Sequence, residues 1–225
     1  MQPATPVTLF NQTFLLSVLR GMYWQEASTL LVADLHLGKT GHFRKAGIAV
    51  PQQLYQEDLH RLFSMIQYFK PQRLLILGDM IHSAANRELD LFARWRSDHQ
   101  QLHVALVRGN HDSLDAGWFH EQSIEVHSSY LEEGDFLFLH DRTQHPEMQA
   151  GYRISGHIHP GYTINGAGKQ ALHFPCFFIG KQDTVLPAFS LFSGTHSIKP
   201  KKGDQVFALV EDRTNEPQLM QVYPG

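Results

Sequence analysis

Apolar residues along the chain fall into two recurring patterns. Short runs of four to six, bounded by turn signals, read as buried strands, and the clearest are 30–33, 74–77, 104–107, 136–139 and 152–155. Two further short strands are predicted at 13–18 and 22–24, either side of Arg20-Gly21. Over 52–69 the spacing changes to three and four, with Leu54, Leu59, Leu62, Phe63, Ile66 and Phe69 on one face of an amphipathic helix. Pro51 stands where a first-turn proline is tolerated, and Pro71 follows the last turn. A second helix is predicted over 87–99 with Leu91, Phe92 and Trp95 as its buried stripe. Past Gly161 the pattern becomes mostly β, with strands expected at 170–173, 177–179, 205–210 and 219–223, the last two joined by the polar stretch 211–217. The alternation predicts a mixed α/β chain. No repeat and no long Pro/Gly/Ser linker divides it, so residues 1–225 are expected to form a single domain.

Composition narrows the function classes. Lysine plus arginine against aspartate plus glutamate is 19 against 22, a formal net charge of −3, which excludes a polybasic, histone-like surface and makes any nucleic-acid contact local. With 42% hydrophobic and 18% charged residues the chain can bury a proper core. One cysteine, Cys176, excludes a disulfide framework and a thiolate-rich zinc site, and its Phe174-Pro-Cys-Phe-Phe setting marks it as a packing residue. Fifteen histidines beside that lone thiol direct attention to hard or borderline metal sites. No basic-then-apolar leader is seen and every apolar run is far shorter than the ~20 residues of a membrane helix, so the expectation is a cytoplasmic protein without a membrane partner.

Each of the five clear runs ends in a polar group able to bind a metal. Leu30-Leu-Val-Ala33 leads to Asp34-Leu-His36, Leu74-Leu-Ile-Leu77 to Gly78-Asp79, and Val104-Ala-Leu-Val107 to Arg108-Gly-Asn110-His111-Asp112. Phe136-Leu-Phe-Leu139 leads to His140-Asp141, and Tyr152-Arg-Ile-Ser155 to Gly156-His157-Ile-His159. Groups just past the C-terminal ends of several buried strands gather on one edge of a sheet, where α/β proteins place their sites. In an extended segment residues two apart point the same way, so Asp34 with His36, and His157 with His159, are expected to reach one ion each. The candidates are Asp34, His36, Asp79, Asn110, His140, His157 and His159. Seven ligands suit two ions if one carboxylate bridges, and Asp79 is the best candidate for that. A sulfur-free oxygen and nitrogen set favours Mn, Fe or Zn. A single Asp after a strand is more often a turn or cap, and isolated histidines such as His60, His99 and His103 are read as ordinary surface or core residues. The seven stand apart because they recur in one context.

These motifs resemble the calcineurin-like metallophosphoesterase superfamily, whose pattern DxH, GD, GNH[DE], a strand-end His and GHxH runs in order here from Asp34 to His159. The resemblance implies a two-sheet β-sandwich flanked by helices with two divalent metal ions on one rim. It assigns Asp34, His36, Asp79 and His159 to one ion, and Asp79, Asn110, His140 and His157 to the other. It makes His111 the non-ligand histidine that assists phosphate chemistry, with Asp112 orienting it. Where many members carry GDxxD, this chain has Gly78-Asp-Met-Ile-His82, which gives His82 an outer or substrate role.

A narrower resemblance, over roughly 18–195, is to the bacterial ligase-associated DNA damage response endonucleases. It rests on Asp34-Leu-His-Leu-Gly-Lys39, Phe43-Arg44 to Pro51, Gly78 to His82, Pro175-Cys-Phe-Phe178 and Leu186-Pro-Ala-Phe189. It implies a manganese-dependent phosphodiesterase acting on DNA, beside an ATP-dependent DNA ligase and helicase-type repair proteins. Lys39, Arg44 and Arg142, close to metal motifs in sequence, are candidate phosphate contacts along with His82. Two other classes compete: a phosphodiesterase or phosphomonoesterase of small nucleotide-type substrates, and a non-catalytic scaffold, whose signature would be missing ligands. The lysines at 199, 201 and 202 read as an exposed loop.

Overall fold

A computed structural model describes residues 4–39, 53–82, 87–144, 151–166, 170–211 and 216–223. Among them, strands β1 (Thr5–Leu9), β2 (Gln12–Leu16), β3 (Met22–Trp24), β4 (Thr29–Val32), β5 (Arg73–Leu77), β6 (His103–Val107) and β7 (Ile124–His127) form a seven-stranded sheet in chain order. β1 to β4 meander antiparallel, and β4, β5, β6 and β7 run parallel. The second sheet holds β8 (Tyr130–Glu133), β9 (Phe136–Leu139), β10 (Tyr152–Ser155), β11 (Pro160–Asn165), β12 (Ala171–Ile179), β13 (Asp183–Val185), β14 (His196–Ser197), β15 (Gln205–Glu211) and β16 (Pro217–Tyr223). Its order is β14-β11-β12-β13-β10-β9-β8, with β15 paired to β12 and β16 to β15. Three helices, α1 (Gln53–Phe69), α2 (Arg87–Asp98) and α3 (Ala116–Glu121), complete the described secondary structure.

The period-two geometry of a strand explains why the central runs are apolar throughout. Leu30, Val32, Leu74, Ile76, Val104 and Leu106 face the helices, against Leu62, Met65, Phe92 and Phe119. The alternate residues Leu31, Ala33, Leu75, Leu77, Ala105 and Val107 face the second sheet, against Phe136, Phe138, Ile154 and Phe177. The molecule is thus a mixed α/β two-sheet sandwich. Its described helices lie on the first sheet only. The outer face of the second sheet is closed instead by Cys176, Phe178, Val206 and Ala208 under Tyr162, Ile164 and Phe174. Burial pushes the Cys176 thiol up to about 12, which leaves it protonated and inert. No described helix is long and apolar enough to cross a membrane.

Three expectations change. On α1, Phe63 is 43% exposed while Met65 is fully buried. On α2, Leu91 is 37% exposed and Leu89 takes its place in the core. In each helix one residue of the face read from the sequence is exposed and a residue two positions away is buried instead, while Leu62, Ile66, Phe92 and Trp95 stay in the core. The strands expected at 170–173 and 177–179 are one strand, β12, which runs through Pro175. That proline ends the stretch paired with β11, and Cys176 begins the stretch paired with β15, so the missing N–H falls at a change of partner.

Candidate metal centre

Parallel strands deliver their C-terminal ends to one rim. Past β4 and β5 the backbones stay paired, with the His36 amide donating to the Asp79 carbonyl (2.9 Å) and the Leu37 amide to Met80 (2.8 Å). In the second sheet the Gly156 amide donates to the His140 carbonyl (3.1 Å). The segment after β13 crosses to the first sheet, where the Phe189 amide donates to Ala33 (2.8 Å) and the Ser190 amide to Asp34 (3.2 Å). The two rims therefore become one, with Asp34, His36, Asp79 and His140 buried in it.

The backbone there is not extended. Asp34, His36, Asp79, His157 and His159 have φ of 56°, 50°, 46°, 71° and 47°. This corrects the reason given for the DxH and HxH spacings: both residues of each pair are aimed by left-handed turns, and His157 and His159 enter different ligand groups, not one shared ion site. Each such turn costs a non-glycine residue on the order of 1–3 kcal/mol, and such strain gathers at functional sites. Two glycines make the crowding possible. A Cβ on Gly109 would lie 2.3 Å from Asp79 Oδ1, and one on Gly78, itself at φ 75°, would lie 2.1 Å from His140 Nδ1.

Two groups of side chains result, each with its ligand atoms within 4.8 Å of one another: Asp34, His36 and His159, and Asp79, His140 and His157. In the first, His159 Nε2 is 3.3 Å from His36 Nε2 and 3.6 Å from Asp34 Oδ1. In the second, His140 Nε2 is 2.9 Å from His157 Nδ1, 3.5 Å from Asp79 Oδ1 and 3.0 Å from Asn110 Oδ1.

The donor chemistry of these groups fits a cation. His140 Nδ1 faces the Leu77 carbonyl (3.3 Å) and His159 Nδ1 the Gly194 carbonyl (3.1 Å), so each of those nitrogens carries the proton. In the neutral rings each Nε2 then presents a lone pair to the site, His140 beside Asp79 and Asn110 and His159 beside Asp34, and a carbonyl behind the ring is the usual support of a metal-ligating histidine. Among the described residues the fully buried Asp34 Oδ1 has no hydrogen-bond partner, while Oδ2 accepts from the His157 amide (3.0 Å). Unpaired acceptors converging in a buried site are costly unless a positive charge sits among them. Burial, then Lys39 and the neighbouring imidazoles, lower His36 to about 2, which keeps it in the neutral form a metal requires.

The remaining candidates divide. The main-chain amide of His111 donates to Asp79 Oδ1 (2.9 Å), and its ring Nε2 lies 4.0 Å from Asp79 Oδ2 with the side chain 44% exposed. His82 lies beside it, ring centroids 4.9 Å apart and planes tilted 32°. Lys39 donates to Ser193 Oγ (3.1 Å); burial lowers its pKa, with Asp34 and Asp79 acting in the opposite direction. Arg142 is turned away, donating to Asp183 Oδ2 (2.7 Å) over the Phe178 ring. Arg44 lies outside the described residues. Asp112 does not orient the His111 ring: its carboxylate accepts from the amides of Ile81 (2.8 Å) and Gly109 (2.9 Å). It ties the GNHD turn to the loop after β5, and burial, with Asp79 adding to it, raises its pKa to about 6. An asparagine has one acceptor where two amides need one each. Asp112→Asn is expected to destabilise the metal-free protein by ~1–3 kcal/mol in a urea titration.

One network behind the rim was not read from the sequence. Arg20 donates to the Ala188 (3.3 Å) and Ser190 (3.1 Å) carbonyls. Arg61 pairs with Asp58, donates to the Phe189 carbonyl and lies over the Phe189 ring, while Asp58 accepts from the Leu191 amide (3.2 Å). Together they hold the segment that hydrogen-bonds the Asp34 strand end. Asp58 and Arg61 stand one turn apart on α1, a spacing that reads as a solvated pair, so only the tertiary partners distinguish them.

Among solved structures, the chain is similar to the crystal structure of Pseudomonas putida nuclease MPE, with a TM-score of 0.78 and 29% identity over 91% of this chain and 96% of that one. A protein of unknown function, AQ665 from Aquifex aeolicus, also matches, with a TM-score of 0.43 and 19% identity over 63% of this chain and 82% of that one. No family model matches the chain, and no curated protein does. The fold is a mixed α/β, metallophosphoesterase-like sandwich, similar over most of its length to that of a nuclease.

Proposed function

We propose that the chain is a dinuclear-metal phosphodiesterase, a manganese-dependent DNA endonuclease of DNA repair, contained in one metallophosphoesterase domain. The observation that carries this reading is the pair of Asp/His groups whose lone pairs converge at the joined rim. Likeness to a nuclease over most of both chains supports the hydrolytic class. Asp34, His36, Asp79 and His159 would hold one cation and Asp79, Asn110, His140 and His157 the other. When bound, two such cations supply a water acidic enough to ionise near pH 7 and neutralise charge on a phosphate.

The rest is the work of this chain's side chains. His111 is held by its main chain, so its ring is left on the open side of the rim, where it can reach a phosphate oxygen and give a proton to the leaving oxygen. His82 flanks that ring and narrows the approach to it. Lys39, anchored on Ser193, places an ammonium near Asp34 and Asp79, at the same mouth. In the cell the partners of such an enzyme would be an ATP-dependent DNA ligase and helicase-type repair proteins of the cytoplasm.

The test is turnover with added Mn²⁺ on supercoiled plasmid, single-stranded DNA and bis-p-nitrophenyl phosphate, side by side. Cleavage of at least one DNA together with the small diester is expected. Hydrolysis of the diester with neither DNA cut would reassign the centre to a small nucleotide-type substrate, and no hydrolysis of any would leave a scaffold.

A further inference from the structure

The cations of this protein are distributed unevenly. Arg20, Arg61, Arg73, Arg96, Arg108 and Arg142 are all engaged by carboxylates or carbonyls of the protein itself. Lys181, Lys199, Lys201 and Lys202 are exposed, and none has a carboxylate partner among the described residues. Lys70 and Arg94 also lack one there, but each stands singly on the helical side.

The four lysines belong to one continuous strip that starts at the metal centre. The His196 amide at the head of β14 donates to the carbonyl of His159 (2.8 Å), and the Ile198 amide to Gly161 (3.0 Å). The chain then carries Lys199, Pro200, Lys201 and Lys202 down to Gly203, against which the Lys181 side chain rests: a Cβ on Gly203 would lie 2.6 Å from Lys181 Cε. The seven residues from His196 to Lys202, six Cα steps, span at most ~20 Å. The nearest acids in sequence do not cancel this charge. Asp204 is buried and accepts from the Lys201 amide (2.7 Å), and Asp183 is held by Arg142 (2.7 Å). On a chain of net charge −3, a row of uncompensated ammonium groups leading away from a candidate ligand is a local field for a polyanion.

We propose that Lys181, Lys199, Lys201 and Lys202 form a docking track for the backbone of a single nucleic-acid strand whose phosphates lead into the metal centre. The track rests on the nuclease reading above and adds to it a means of holding the strand. It contacts phosphates without reading bases, so it confers affinity and salt dependence rather than sequence preference.

The experiment compares Mn²⁺-loaded protein with the K181Q/K199Q/K201Q/K202Q variant. Binding of a fluorescent single-stranded oligonucleotide is followed across a salt series, with cleavage of that oligonucleotide and of bis-p-nitrophenyl phosphate measured alongside. Four lost phosphate contacts should lower the salt slope by about 3, so that between 50 and 200 mM salt the parent loses about 50-fold more affinity than the variant. KM for the oligonucleotide should rise while turnover of the small diester stays at the parent's level, which also reports an intact fold. A parent that cleaves the strand, beside a variant with the same slope and KM, overturns the track and leaves the nuclease reading in place. A parent that neither binds nor cuts the strand overturns both.

Discussion

Asp79→Asn is expected to remove bound cation and phosphodiester hydrolysis together. Asp79 is buried at the rim, its Oδ1 accepting from the His111 amide (2.9 Å) and facing His140 Nε2 (3.5 Å). Asparagine has nearly the same shape and can keep the amide contact, so the fold should survive. What it loses is the negative charge, at the carboxylate that the sequence motifs mark as the bridge between two cations. Removal of a main electrostatic element of this kind costs on the order of 10³-fold in rate. Metal content after gel filtration and initial rates on single-stranded DNA measure the two effects. A variant with full metal content and parental rate would show that the carboxylate is structural.

The second large effect is expected at His111, and it should separate the two properties that Asp79 joins. The hydrogen bond from residue 111 to Asp79 comes from the main chain, so His111→Gln leaves it in place. The ring Nε2 stands 4.0 Å from the nearest Asp79 oxygen, beyond hydrogen-bonding distance, so its removal exposes no buried acceptor. Metal content should therefore remain at the parental level. Cleavage of single-stranded DNA should fall by ~10²–10⁴-fold, the usual loss when a proton donor is removed. Near-parental cleavage by a metal-replete His111→Gln protein would falsify the assigned role.

How much of this was legible in the sequence depends on how local each feature is. A strand buried on both faces must be apolar at every position, so Leu74–Leu77 and its counterparts were readable, and the polar residue that breaks each run marked the rim. The helices were legible as helices, but Phe63 and Leu91 show that the buried face is set by the sheet beneath, which a local pattern does not contain. The seven rim residues were readable as a set. Their conformations were not, because nothing in the letters Asp34 or His157 specifies a positive φ. Neighbourhood in sequence also misled. Asp112 adjoins His111 yet binds the amides of Ile81 and Gly109. Arg142 is two residues from His140 yet reaches Asp183, a residue brought near by the pairing of β10 with β13. The Arg20, Asp58 and Arg61 network joins a turn, a helix and a late loop, and no spacing rule connects the three.

Neither ligand group belongs to one sheet. Asp34 and His36 follow β4 while their partner His159 follows β10, and Asp79 follows β5 while His140 and His157 come from the ends of β9 and β10. A complete ligand group therefore exists only when the two halves of the sandwich are docked. A chain in which the sheets stand apart has no complete cradle for a cation, so metal affinity reports on the docking of the two sheets.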